Sequence, residues 1–307
     1  MKNGKVHIGL IVVFVAAVVA FVSLSGRSGR GEPVQAKTDS KVKTTSRVGE
    51  RTTSTSAKPS TVAFAAAATQ NAALRNELTW TFGGKQQRGW SLYELLINKT
   101  LKTQEDAATS DFASAVAAWQ RRSGLSADGV IDEDALMRLV SQWQSDRLKI
   151  RTAATPDQLL TAPATDFFDP SRAEELRQVE RNTYAAYKRM IAAALADPTL
   201  KLARSSASEL APGEKYFKII SAFRSREYQD ELRRRSPNAG SAGLAVNSPH
   251  FTGRALDIYV GGDPVDTKDS NRAIQVDTPA YRWLVRNAER FGFRPYFYEP
   301  WHWEYVG

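Results

Sequence analysis

The sequence contains no cysteine, which removes disulfides, thiolate metal sites and cysteine nucleophiles together. Histidine is scarce, with only three in 307 residues. His7 lies at the edge of an N-terminal apolar run, whereas His250 and His302 each sit in a segment that also carries a carboxylate, Asp257 and Glu299 respectively. A transition metal held by this chain must therefore rely on nitrogen and oxygen donors, and neutral imidazole with carboxylate is an ordinary zinc donor set. Acidic side chains are outnumbered, 33 against 42 basic, for a formal net charge of +9. That balance suits an anionic surrounding such as nucleic acid, a membrane face or an acidic cell wall. Much of the excess falls in a spacer near the N-terminus, so no nucleic-acid partner is expected. With 42% hydrophobic and 10% aromatic residues, the remainder can build a packed core.

Residues 8–24 are almost uninterrupted Ile, Val, Leu, Ala and Phe, preceded by Lys2 and Lys5. This is the pattern of a signal peptide or signal anchor, and it places the rest of the chain outside the cytoplasm, in the cell envelope. An uncleaved single-pass membrane anchor over 1–25 is the favoured reading. Residues 26–75 read as a flexible basic linker, rich in Ser, Thr, Lys, Arg and Gly where it begins, where too little apolar surface exists to offset the ordering entropy.

Apolar patterning then returns over 76–150. Trp80, Phe82, Trp90, Leu92, Leu95, Leu96 and Ile97, followed by Phe112, Val116 and Trp119, predict helix faces around a small all-α core. Gly124 suits a left-handed cap, Asp128 and Gly129 a tight turn, and Asp132 an N-cap. Over about 85–143 this stretch resembles the peptidoglycan-binding type 1 repeat of wall-lytic enzymes, with Asp132 where the repeat commonly has glycine. The resemblance implies a module that holds peptidoglycan. A polar, proline-containing linker is expected over 151–170, with a second domain over 171–307. There, a long helix is predicted over 171–195, a strand over 216–223, a helix over 226–235, a strand over 255–260, a helix over 279–291 and a terminal strand pair over 297–306. Helices first and strands later, without regular alternation, predict an α+β fold with a mostly antiparallel sheet and flanking helices.

His250 and Asp257 are separated by a turn containing Gly253, so His250 can be carried over the start of the strand that holds Asp257. Glu299 and His302 share a helical spacing, yet Pro300 disfavours helical geometry at Glu299, and a kink entering the last strand must bring them together. Ser248, His250, Gly253, Ala255 and Asp257, then Glu299 and His302, and a third segment with Ser221, Arg224, Ser225 and Gln229, resemble in order the motifs of the VanY-type D-alanyl-D-alanine carboxypeptidases, zinc peptidases that share a fold with the Hedgehog signalling domain. Phe223 replaces the tyrosine common in that third motif. The resemblance spans about 171–307. It implies one zinc ion per chain held by His250, Asp257 and His302, with Glu299 as general base for an attacking water and Arg224 as electrophilic partner. Ser248 and Gln229 are candidates for substrate contact.

The expected activity is removal of the terminal D-alanine from peptidoglycan stem peptides. An L,D-carboxypeptidase or a peptidoglycan endopeptidase would use the same centre, and a non-catalytic wall-binding protein is the alternative from another class. An L,D-transpeptidase would need the cysteine that this chain lacks.

Overall fold

The computed structural model describes residues 64–235 and 247–307. The expected anchor and most of the expected basic linker lie outside the described residues. Among the described residues, no helix is long and apolar enough to cross a membrane.

The first half is not all helical. Helix α1 (Ala65–Glu77) is followed by a hairpin of β1 (Thr79–Phe82) and β2 (Lys85–Arg88), then by α2 (Glu94–Leu101), α3 (Ser110–Arg122) and α4 (Glu133–Ser145). Helix α1 lies almost wholly inside the stretch assigned to the linker, running two residues past its expected end at 75. It is anchored by two small apolar residues, Ala67 and Ala68, and by buried Asn71, whose amide donates to Gly129 O and accepts from Ile131 N, both at 2.8 Å. Trp80 and Phe82, read as helix-face residues, belong to β1 instead. The local stop signals act as expected. Gly124 and Gly129 adopt φ of 73° and 82°, and the Asp132 carboxylate accepts from Ala135 N to cap α4.

The stretch expected to be a linker is built into the second half. Its strand β3 (Leu159–Thr161) pairs antiparallel with β4 (Gln178–Glu180), Ala154 N donates to Phe251 O, and Phe167 is buried. The long helix predicted from residue 171 begins ten residues later as α5 (Arg181–Leu195), because Gln178–Glu180 pairs as a strand and the Glu180 carboxylate then caps α5 by accepting from Thr183 N at 2.8 Å. Strand β5 (Ile219–Ser221), α6 (Arg226–Arg235), β6 (Ala255–Ile258), α7 (Asp269–Val276), α8 (Pro279–Asn287), β7 (Phe293–Tyr296) and β8 (Glu299–Tyr305) complete the chain. Helix α7 was not anticipated. Strand order is β5-β6-β8-β7, antiparallel throughout.

One apolar core runs through both halves. Phe297, in the turn between β7 and β8, sits edge-on to Phe82 of β1 with ring centroids 4.7 Å apart, and meets Tyr93 at 5.3 Å and Trp143 of α4 at 5.8 Å. Buried Arg272 of α7 joins Tyr93 Oη (3.0 Å) to Tyr298 O (3.2 Å). The helical part therefore shares its packing with the sheet, where two separate domains had been expected. This arrangement predicts a single calorimetric unfolding transition. It also predicts that Phe297→Ala lowers stability by about 3–5 kcal/mol, the usual cost of emptying a buried aromatic site. Two resolved transitions in the parent chain would contradict it.

Candidate metal centre

Strand pairing explains why two of the site residues meet. Asp257 of β6 is in register with His302 of β8 on one side and with Ser221 of β5 on the other. Directly opposed residues in an antiparallel sheet project from the same face. Asp257 Oδ1 lies 2.9 Å from His302 Nδ1. The sheet alone thus fixes one carboxylate beside one imidazole.

His250 arrives from outside the sheet. It occupies a short 3-10 turn, Pro249–Thr252, started by the Ser248 hydroxyl accepting from His250 N (3.3 Å) and ended by Gly253 at φ 66°. A Cβ at Gly253 would stand 2.9 Å from Glu180 N, so glycine is required for both the left-handed turn and the close backbone approach. The turn puts His250 Nε2 3.3 Å from Asp257 Oδ1, and the ring centroids of His250 and His302 lie 5.0 Å apart. One donor atom from each of His250, Asp257 and His302 lies within 4.8 Å of the others, and all three residues are buried.

The protonation pattern of His250 leaves a bare donor atom facing the cluster. His250 Nδ1 lies 2.6 Å from Ala222 O, an acceptor that fixes the proton on Nδ1. Nε2 is then a buried lone pair with no hydrogen-bond partner, facing a carboxylate oxygen. Burial, reinforced by Arg224, pushes the His250 pKa down to about 4, so the ring is neutral. Burial also acts to raise Asp257, but the imidazoles of His250 and His302 hold it well below the usual carboxylate range. Two imidazole nitrogens and one carboxylate oxygen, one of them an orphaned lone pair, match the donor set and count of a catalytic zinc site.

Each ligand has its own support. Ala222 O orients His250. Arg224 donates from Nη2 to Asp257 Oδ2 (2.9 Å) and from Nε to Ser221 Oγ (3.0 Å), leaving Nη1 without a partner. His302 Nε2 lies 3.3 Å from Glu304 Oε1. Burial works against a charged His302, yet hydrogen bonds to Asp257 and Glu304 outweigh it and raise the pKa to about 9.

Glu299 is buried at the start of β8. A three-residue spacing would place it opposite His302 in a regular strand. The β7–β8 pairing is irregular, however, jumping from Trp303↔Pro295 to Tyr296↔Glu299, and Pro300 falls where no ladder donor is needed. Burial raises Glu299 to about 8, with Asp257 adding to the rise and His302, Arg147 and Arg224 opposing it. Gln229, on α6, is buried with neither amide atom hydrogen-bonded. Ser248 acts as the cap of the His250 turn. Trp301 and Trp303 are buried, as packing and sheet residues.

Sequence reasoning missed Glu304 and its partner Arg147. The first was discoverable, since residues two apart on a strand share a face. The second, 157 positions away, left no local trace.

Fold and site together define an antiparallel-sheet domain with a buried mononuclear metal-type donor set and an adjoining carboxylate of raised pKa. Residues 176–307 match the family model described as VanY, D-alanyl-D-alanine carboxypeptidase. Among solved structures, the LdcB LD-carboxypeptidase, described as revealing the molecular basis of peptidoglycan recognition, is similar at 22% identity over 50% of this chain and 70% of that one, with a TM-score of 0.32. No curated protein matches the sequence.

A ligand nitrogen must be bare, while metal-free His302 keeps its proton up to about pH 9. A divalent cation entering this cluster near neutral pH should therefore displace at least one proton per ion. Affinity should rise by about tenfold per pH unit between about pH 6 and 8. Titration calorimetry in buffers of different ionisation enthalpy measures the release, and a buffer-independent enthalpy would exclude His302 Nδ1 as a ligand atom.

Proposed function

We propose that the protein is a zinc-dependent D,D-carboxypeptidase that removes the terminal D-alanine from peptidoglycan stem peptides. The observation that carries this reading is the buried cluster of His250, Asp257 and His302, with Glu299 raised to about 8 beside it, inside a segment that matches the VanY family. Zinc bound by those three residues supplies Lewis acidity, polarising a scissile carbonyl and making water acidic enough to lose a proton near neutral pH.

The chain's own groups would do the rest. Glu299 would take the proton of the attacking water on its carboxylate and return it to the departing amine. In the metal-free chain burial raises Glu299 to about 8 against the fields of His302, Arg147 and Arg224, and a bound cation would lower it toward the ionised base. Arg224 spends Nη2 and Nε on Asp257 and Ser221, and its remaining Nη1 is a preorganised donor for the developing oxyanion. Buried Gln229, its amide unpaired, is the candidate for holding the peptide. The helical half would hold the wall polymer. The N-terminal apolar run and basic stretch would tether the enzyme to the membrane in the cell envelope.

The test is digestion of defined tripeptide, tetrapeptide and pentapeptide muropeptides, with products weighed by mass spectrometry. Pentapeptide should lose one alanine, the loss should cease with a chelator, and zinc should restore it. Alanine loss from tetrapeptide alone would reassign the enzyme as an L,D-carboxypeptidase, and cleavage of cross-linked dimers as an endopeptidase. No metal-dependent cleavage at all would overturn the reading. Glu299→Ala should retain zinc and lose about 10²–10⁴-fold in turnover; unchanged turnover would remove Glu299 from the role of base.

A further inference from the structure

The three proposed metal ligands are supported in different ways. Ala222 O holds His250 and Arg224 holds Asp257, and both supports lie within the VanY-matched segment, 176–307. The third support, Glu304 behind His302, is itself held from outside that segment. Arg147, just past the end of α4, donates to Glu304 Oε1 at 2.5 Å, and the next backbone N–H, of Leu148, donates to Oε2 at 2.9 Å. Both oxygens of Glu304 are thus engaged by two consecutive residues of the helical half. Arg147 also lies with Cζ 3.9 Å from the centre of the Tyr296 ring, and Tyr296 meets His302 edge-on at 6.0 Å.

We propose that Arg147 is a positioning residue of the metal centre, fixing Glu304 so that Glu304 fixes the tautomer and tilt of His302. This inference rests on the metal-site reading above. Its physical basis is the two-sidedness of imidazole. A ring that donates its Nε2 proton to a carboxylate must present Nδ1 as the lone pair, and Nδ1 is the atom that faces Asp257. Glu304 can act as that acceptor only if its carboxylate is held in one orientation while fully buried.

A buried carboxylate without fixed partners would be free to rotate. Arg147 and the Leu148 N–H prevent this, because a charged fork on one oxygen and a backbone donor on the other leave the carboxylate one orientation. Stability alone is a weak reason for such a pair. Arg147 and Glu304 are 8% and 0% exposed, and a buried ion pair gives little net stabilisation over an apolar replacement. Setting the geometry of a ligand is a role that an apolar pair could not fill. The helical half would then be part of the metal centre as well as a wall-holding module.

The experiment measures zinc dissociation constants for the whole chain by competition with a chromophoric chelator. Arg147→Met should weaken zinc binding by about 10–100-fold, the usual effect of losing an outer-shell partner, and Arg147→Lys should recover part of the loss. Leu136→Ala, which empties a buried site in the same helical half, should lower the melting temperature and leave zinc affinity within about twofold of the parent. If Arg147→Met destabilises the chain too far, Glu304→Gln, which keeps the shape and removes the charge, replaces it with the same expectation. In the zinc-loaded, histidine-labelled protein, the His302 Nε2 proton should give a protected downfield resonance that exchanges with solvent in Arg147→Met.

Parent-like affinity and a protected Nε2 proton in Arg147→Met, with zinc binding abolished in Asp257→Ala, would overturn the proposal and leave the metal site standing. Equal losses in Arg147→Met and Leu136→Ala would overturn it too, by assigning the effect to general destabilisation. A parent chain that binds no zinc would overturn both readings.

Discussion

The centre depends on keeping one carboxylate charged with no access to water. Asp257 is 0% exposed, and an isolated ionised carboxyl in such a place would neutralise. It stays ionised because its two oxygens face different partners. Oδ2 receives Arg224, and Oδ1 lies between the two imidazoles. Arg224 is set by the end of β5 through Ser221, His302 by the register of β8, and His250 by a turn that only glycine can close at Gly253. Three chain segments far apart in sequence therefore converge on one group, and moving any of them would leave a buried charge uncompensated. Such a constraint suits a ligand site, because atoms that must neutralise Asp257 are already placed where a cation would need them.

The same logic reaches the rest of the molecule through Glu304. A second buried carboxylate, on the neighbouring strand β8, requires a second cation, and the structure takes it from the helical half rather than from the sheet domain. Packing follows the charge. The rings of Phe82, Tyr93 and Trp143 close around Phe297 in the β7–β8 turn, so the turn that sets the start of β8 is built against residues from β1, the α2 entry and α4. Separating the halves would expose this apolar contact and strand Glu304 together, which makes a freely hinged arrangement costly.

The convergence of His250, Asp257 and His302 was legible in the sequence because scarce histidines recur beside carboxylates at motif spacings, and Pro300 argued against a helix between Glu299 and His302. Helix ends were legible where a side chain caps them, as at Asp132. The misreadings share a cause. Trp80 and Phe82 lie two apart, a strand spacing, but were absorbed into a helical pattern set by later residues. Helix α1 looked like tether because its buried face is only alanine and asparagine, and its stability comes from Asn71 bonding a loop about 60 residues away. Residues 151–170 looked like a linker because a three-residue strand and a few backbone bonds to the sheet half leave no periodic pattern. Arg147 is the extreme case, an arginine that reads as a solvated helix end until the strand carrying Glu304 is folded against it.

Three buried carboxylates on one sheet face three different electrostatic settings, and those settings separate their roles. Asp257 and Glu304 are both held well below the usual carboxylate range despite burial, Asp257 by the imidazoles and Glu304 by Arg147 with His302. Both stay charged across the physiological range and suit fixed electrostatic work. Glu299 is equally buried, but the cations that lower its pKa fall short of the burial that raises it, and its value stands near 8. It alone of the three can exchange a proton near neutral pH. Titratable groups whose surroundings drive their pKa values apart carry the acid–base assignment with them. Here that division follows from where Arg147, Arg224 and the two imidazoles stand, so Glu299 differs from the other two carboxylates in its surroundings as well as in its motif.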